Sequence, residues 1–358
     1  MGGDVTEPES GFGNAVDWRL AARTGARLAP AGPSTSRYTA ESVVAELESA
    51  SIRAEGPVRD VTGLADGLPI PAAQVVDRAG WIRAAAHSMA TLTGTDIESA
   101  QRTLLAGKPG GVQAGAMLAY LSSAILGQYD PFTGEHGTLL LVAPNVLQVE
   151  RTLKVPPSDF RLWVCLHEVT HRVQFSSAPW MGEYMRQSVA TLGESTDEPM
   201  TEFVARLSGA LREWRRGSGP DTDLPADQRG VIGLLRATQA EPQRLALDRM
   251  LMLGTVLEGH ADHVMDAVGP AVVPSVVRIR KAFDARRHRQ TNPVQRVIRA
   301  LLGMDAKMAQ YVRGKSFVDA VVARAGMEQF NAVWSGADAM PTVDEIENPD
   351  AWITRVLG

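Results

Sequence analysis

The 358-residue chain contains one cysteine, Cys165. An internal disulfide is therefore excluded, and a reducing compartment is the expected setting. Its neighbours Leu162, Trp163, Val164 and Leu166 are apolar, which suits a small core residue better than a nucleophile. No uncharged apolar run reaches the length of a membrane span, so none is expected. Neither sign of charge dominates: 36 lysines and arginines against 41 aspartates and glutamates leave a formal net charge of −5. That balance gives no reason to expect nucleic acid or an anionic membrane as partner. The opening MGGDVTEPES is polar and acidic rather than basic and then apolar, so no secretory signal is expected and the cytoplasm is the expected location. What remains is ordinary for a globular protein, 44% hydrophobic and 22% charged, with length for one large or two ordinary domains.

The most informative stretch is FRLWVCLHEVTHRVQF, residues 160–175. It contains His167-Glu168-Val169-Thr170-His171, an H-E-x-x-H in a segment without proline or glycine. On a helix, two histidines four apart lie one above the other on one face and can grip one ion between them. Glu168 stays close enough to take a proton from water held by that metal. The rival reading is a pair of hydrogen-bonded core histidines. The motif arises by chance in roughly one chain in a hundred of this length. Chance matches fall mostly on exposed helices and loops, whereas this one lies in an apolar, buried-type helix. Two histidines and a glutamate there are costly unless something satisfies them.

Along the chain, residues 1–10 read as disordered, and helices are expected over 14–27, 38–53 (Thr39 as cap) and 72–92. Residues 56–71 read as loop, and 111–127 as an alanine-rich helix. The short apolar run 137–143 reads as a buried strand, and Ser158 as the cap of the motif helix. His87 and His136 read as packing and loop residues. Further helices are expected over 200–216, 240–268 with Pro242 in the first turn, 276–289, 294–312 and 317–334, with a loop over 217–227. The basic run Arg278, Arg280, Lys281, Arg286, Arg287, Arg289 reads as a solvated face, with an anion or substrate-carboxylate contact as the alternative.

A protein-held zinc usually takes a third ligand and leaves a fourth position for water. The metzincin pattern would put a histidine at position 177, which is Ser177. The best alternative stretch is LEGHADHVMD, residues 257–266. Glu258 and Asp262 are four apart on an otherwise apolar stripe. Glu258 can be the third ligand, and Asp262 can hydrogen-bond the free ring nitrogen of a ligand histidine. The alternatives are His260 or His263 as ligand, or Glu258 paired with an arginine. Gly259 lowers helix propensity by about 1 kcal/mol relative to alanine, which a close approach to the motif helix would explain.

H-E-x-x-H followed by E-x-x-x-D resembles the gluzincin arrangement of thermolysin-type metallopeptidases. More closely, the chain resembles a bacterial family of zincin-like hydrolases of unknown function, often labelled zinc-dependent metalloproteases, some of them associated by name with coenzyme F420 biosynthesis. The resemblance is carried by FGNAVDW (12–18), GQYDPF (127–132), LLLVAPNV (139–146), LHEVTHRVQF (166–175) and LEGHADHVMD (257–266). It implies Zn2+ on His167, His171 and Glu258, with Glu168 as general base. In this chain Glu258 lies far further along than in typical gluzincins, with residues 179–240 interposed.

The expected fold is therefore α+β and predominantly helical, zincin-like, with a small sheet beside the metal helix. A single domain is expected over 11–358: a helical part to about 130, a metal-site core to about 270, and a helical C-terminal part. The expected activity is zinc-dependent hydrolysis of peptide bonds, a peptide adding as a strand along the sheet edge. The alternatives are a catalytically silent binding or scaffold protein and a hydrolase of a small amide or ester. Candidates for stabilising the oxyanion are Tyr184, His260, His263 and Arg278.

Overall fold

The computed structural model describes residues 16–95, 108–194, 240–287 and 304–358. Three short strands, β1 (Gln74–Val76), β2 (Gly127–Asp130) and β3 (Thr138–Val142), form one sheet in the order β1-β3-β2. β1 runs parallel to β3 with Val75 opposite Leu141, and β2 runs antiparallel to it with Gly127 opposite Leu141. The apolar run TLLLV makes the central strand because both its faces are covered. Leu139 and Leu141 enter one core, while Leu140 and Val142 enter another on the opposite face. That is the period-two alternation of a strand buried on both sides.

The second of these cores is built with α1 (Trp18–Leu28), α3 (Arg78–Leu92) and α4 (Lys108–Leu121). On the other side lie α2 (Arg37–Thr62), α5 (Ala143–Leu153) and the motif helix α6 (Pro157–Ser177). Next come α7 (Trp180–Gly193), the long α8 (Glu241–Val272), α9 (Val276–Arg287) and α10 (Met304–Ala325). The short helices α11 (Met327–Phe330), α12 (Val343–Glu347) and α13 (Pro349–Leu357) follow, and with α7, α8 and α10 they enclose a third core around Phe317, Phe330 and Trp352. Among the described residues, no helix is long and apolar enough to cross a membrane.

Two buried arginines hold α6 in place. Arg161 forks onto both oxygens of Glu150 at 2.7 and 2.9 Å and also meets Glu46. Arg172 meets Glu55 of α2 and donates to the carbonyl of Pro71 at 2.7 Å. Removing one partner of such a buried pair costs about 3–5 kcal/mol, so these contacts lock the helix against α2 and α5.

The expected predominance of helix and the small sheet beside the motif helix are what the structure has. Several boundaries differ. The 72–92 stretch divides, because the β-branched Val75 and Val76 pair with β3 and Asp77 then caps α3, accepting from Gly80 N at 2.6 Å. The 56–71 loop is helical to Thr62, with Pro57 inside α2, and ends at Gly63 in the left-handed region (φ 63°). Ser36, not Thr39, caps α2. Pro156 and Pro157, not Ser158, start α6, and its first-turn Asp159 instead accepts from Ser275 N. The 111–127 helix stops at Leu121, and Gly127 begins β2. α8 bends at Gly269 (φ 67°, ψ −172°), a conformation open in practice to glycine, followed by Pro270. Gly259 does mark a close approach, but to α10: a Cβ there would lie 2.2 Å from the Gly314 backbone. The expected disorder at 1–10, the 200–216 helix, the 217–227 loop and the 294–303 part of its helix lie outside the described residues.

Candidate metal centre

α6 and α8 pack together, and their facing turns bring three ligand-type atoms to one point. Nε2 of His167 and Nε2 of His171 are 3.2 Å apart. Oε2 of Glu258 lies 3.4 Å from the first and 3.7 Å from the second. Nitrogen and oxygen ligands about 2.0–2.1 Å from a tetrahedral zinc stand about 3.3 Å from one another. The triangle therefore has the size of one face of a zinc coordination sphere. Among the described residues, these three form the His/Cys/Asp/Glu cluster able to hold a metal ion.

The hydrogen bonds around His171 fix its tautomer. Gln174, fully buried, places Nε2 3.0 Å from the carbonyl of Leu257. A carbonyl can only accept, so that atom is the amide nitrogen, and the amide oxygen is the one 2.9 Å from His171 Nδ1. Nδ1 must then carry the proton, which in the neutral ring leaves the Nε2 lone pair aimed at the cluster. The second N–H of Gln174 donates to Nδ1 of His260 at 2.9 Å. His260 is fully buried, stacked on Phe330 and beside Trp334, with ring centroids 5.3 Å from each. Burial, with help from His263 and His171, pulls its pKa down to about 3, so it stays neutral and accepts. Burial also lowers His171, but the Glu258 carboxylate at Nε2 outweighs it and raises the ring to about 9. Burial alone would raise Glu258; hydrogen bonds from His167 and His171 hold it well below the usual carboxylate range. The field that favours a proton at this point favours a metal cation there too.

Glu168 lies on the turn between the two histidines and is 6% exposed. Its carboxylate side chain packs on Gly127 of β2, where a Cβ would stand 2.6 Å from Glu168 Cγ. Both border a cavity of about 510 Å3 that also reaches His167, His171 and Glu258. Among the described strands, β2 lies at the edge of the sheet. Leu126 O accepts from Val142 N at 2.8 Å, so by antiparallel alternation Leu126, Gln128 and Asp130 bond to β3, while Gly127 and Tyr129 turn their backbone groups outward.

The structure places the other sequence candidates as follows. Asp262 lies at the cavity, but its carboxylate accepts from Arg280 at 3.0 Å. The ring-orienting contact expected of Asp262 is made to His171 by Gln174. The expected ligand alternatives are engaged elsewhere, His260 by Gln174 and His263 by Asp319 at 2.6 Å. Arg278 donates to the carbonyl of Lys154, and Arg280 spans Asp262 and Asp266. None of Tyr184, His260, His263 and Arg278 borders the cavity. Gln174 and Gly127 are the residues that sequence reasoning passed over. A buried glutamine three positions after the second histidine, on its face of the helix, was the available signal.

Two histidines on one helix, a carboxylate from a second and a glutamate beside them form a ligand set that could hold one metal ion, in the pattern metallohydrolases use. The chain belongs to the zincin-like metallopeptidase family, whose model matches residues 16–353. The family implies a metal ion, usually zinc. Among solved structures, the chain is similar to a proposed hydrolase with a novel fold from Chloroflexus aurantiacus, with 30% identity, a TM-score of 0.62, and coverage of 95% of this chain and 98% of that one. No curated protein sequence matches.

Proposed function

We propose that this protein is a zinc-dependent hydrolase that cleaves peptide bonds, with zinc on His167, His171 and Glu258 and Glu168 as general base. The observation that carries the reading is the triangle of 3.2, 3.4 and 3.7 Å with Glu168 beside it at a cavity wall. Family membership and the hydrolase-like neighbour support it. A zinc held by His167, His171 and Glu258 would polarise the scissile carbonyl and lower the pKa of a bound water to about 7. Glu168 would accept a proton from water at the site and deliver it to the leaving amine. Its packing on Gly127 restricts its rotamers, so the base is held in place before substrate arrives. The outward backbone groups of Gly127 and Tyr129 suit a substrate in extended form, which favours a peptide over a small amide or ester.

A structural site in a silent scaffold protein would be closed by four protein ligands. Here three cluster among the described residues and a cavity reaches them, which favours the catalytic reading. Metal analysis of the purified protein, with turnover of an unbiased peptide library, tests it. The expected result is about one zinc per chain, retained in Glu168→Gln with turnover abolished, and lost in Glu258→Ala. Zinc lost as readily from Glu168→Gln as from Glu258→Ala overturns the assignment of roles.

A further inference from the structure

The cavity is a groove with the metal cluster partway along it. On α6, Trp163, His167, His171 and Phe175 recur every four residues and all border it. On α8, Gly254, Glu258 and Asp262 do the same. The apolar walls therefore lie on both sides of the cluster along the helix axes. At one end Trp163 and Phe283 meet edge to face, with ring centroids 5.1 Å apart, beside Met265. At the other end Phe175 is joined by Met185 of α7 and by Phe132 from the loop after β2.

The charged side chains bordering the groove, among the described residues, are Glu168, Glu258 and Asp262, all acidic. Among the described residues, the cations at its edge are already paired: Arg280 with Asp262 and Asp266, and Arg186 with Glu183 and over the ring of Phe132. A substrate carboxylate placed against these walls finds no unpaired cation among the described residues, and an unpaired buried charge is strongly disfavoured. An apolar side chain at either end is favoured there because it leaves water for an apolar wall.

We propose that the site takes an internal, uncharged amide flanked on both sides by apolar side chains. It discriminates against substrates that place an acidic side chain or a free C-terminal carboxylate next to the scissile bond. This makes the protein endo-acting rather than a carboxypeptidase, which would need a cation to receive the terminal carboxylate. The inference rests on the hydrolase reading of the same site.

Short peptide hydroxamates test it, because they bind the metal without needing turnover. Three are titrated into zinc-loaded full-length protein by calorimetry: one with benzyl side chains and an amidated C-terminus, one with a carboxymethyl side chain in place of a benzyl, and one with benzyl side chains and a free C-terminal carboxylate. The expected result is that the first binds at least about 10-fold more tightly than either of the others. Equal or tighter binding of an acidic or free-carboxylate ligand overturns the inference while leaving the metal-site reading standing. If no hydroxamate binds to protein shown to carry zinc, the hydrolase reading itself fails and the inference falls with it.

Discussion

Replacing Gln174 separates positioning of the metal ligand from support of the fold. The side chain has no exposed surface and makes hydrogen bonds of 2.9, 3.0 and 2.9 Å to His171, Leu257 and His260. Gln174→Leu keeps most of the volume but removes the acceptor for His171 Nδ1–H. The ring is then free to change tautomer or rotate, and loss of such an orienting partner typically weakens metal binding by about 10- to 100-fold, or roughly 1.4–2.8 kcal/mol. The same change leaves His171 Nδ1 and His260 Nδ1 without partners, at about 1–3 kcal/mol each. Within a typical total of about 5–15 kcal/mol, the variant is expected to fold with lowered stability. Gln174→Glu keeps an acceptor for His171 but loses both N–H donors, so its stability falls while its zinc affinity stays within a few-fold of wild type. Asp262→Ala is expected to leave zinc affinity near wild type, because Asp262 is engaged with Arg280 rather than a ligand ring. Zinc affinity is read by competition with a chromophoric chelator, and stability by urea denaturation of the metal-free proteins. The reasoning is refuted if Gln174→Leu binds zinc like wild type, or if Asp262→Ala weakens binding as much as Gln174→Leu does.

Gly127→Ala would place a Cβ 2.6 Å from Glu168 Cγ and 2.8 Å from its Cδ. The carboxylate must move, so turnover is expected to fall by at least about 100-fold, the lower end of what a positioned general base supplies, with zinc content unchanged on elemental analysis. Gly259→Ala would drive a Cβ to 2.2 Å from the Gly314 carbonyl carbon, where only backbone can yield. Separation of α8 from α10 is expected to cost about 1–3 kcal/mol or more, seen as a lower urea midpoint with little change in slope.

The motif helix was legible because its evidence is local. An apolar run with two histidines four apart needs only helical periodicity to be read, and α6 spans Pro157–Ser177 around it. The strand TLLLV was legible for a similar reason, a short apolar run between turn signals. The division of 72–92 was not. Val75 and Val76 are strand residues because β3 lies beside them, and that partner is more than sixty residues away in the chain. α5 and α7 were passed over, the first because Pro144 suggested a break although it sits in the first turn, where proline is tolerated.

For the site, the sequence alone determined the ligand types and their grouping into two stretches, 167–171 and 257–266. Residue identity decides which atoms can bind a metal, and spacing decides which share a helix face. Only the tertiary structure decided how those faces meet. Helix packing brings Glu258 to within 3.4 Å of His167 while directing His260 toward Gln174 and His263 toward Asp319. It also handed Asp262 to Arg280 and the orienting contact to Gln174, and it laid β2 against Glu168 through a glycine. The physical reason is that a hydrogen bond or a metal contact depends on side-chain atoms coming within about 3 Å. Periodicity places a residue on a face, but the neighbour opposite that face is set by the packing of helices distant in sequence.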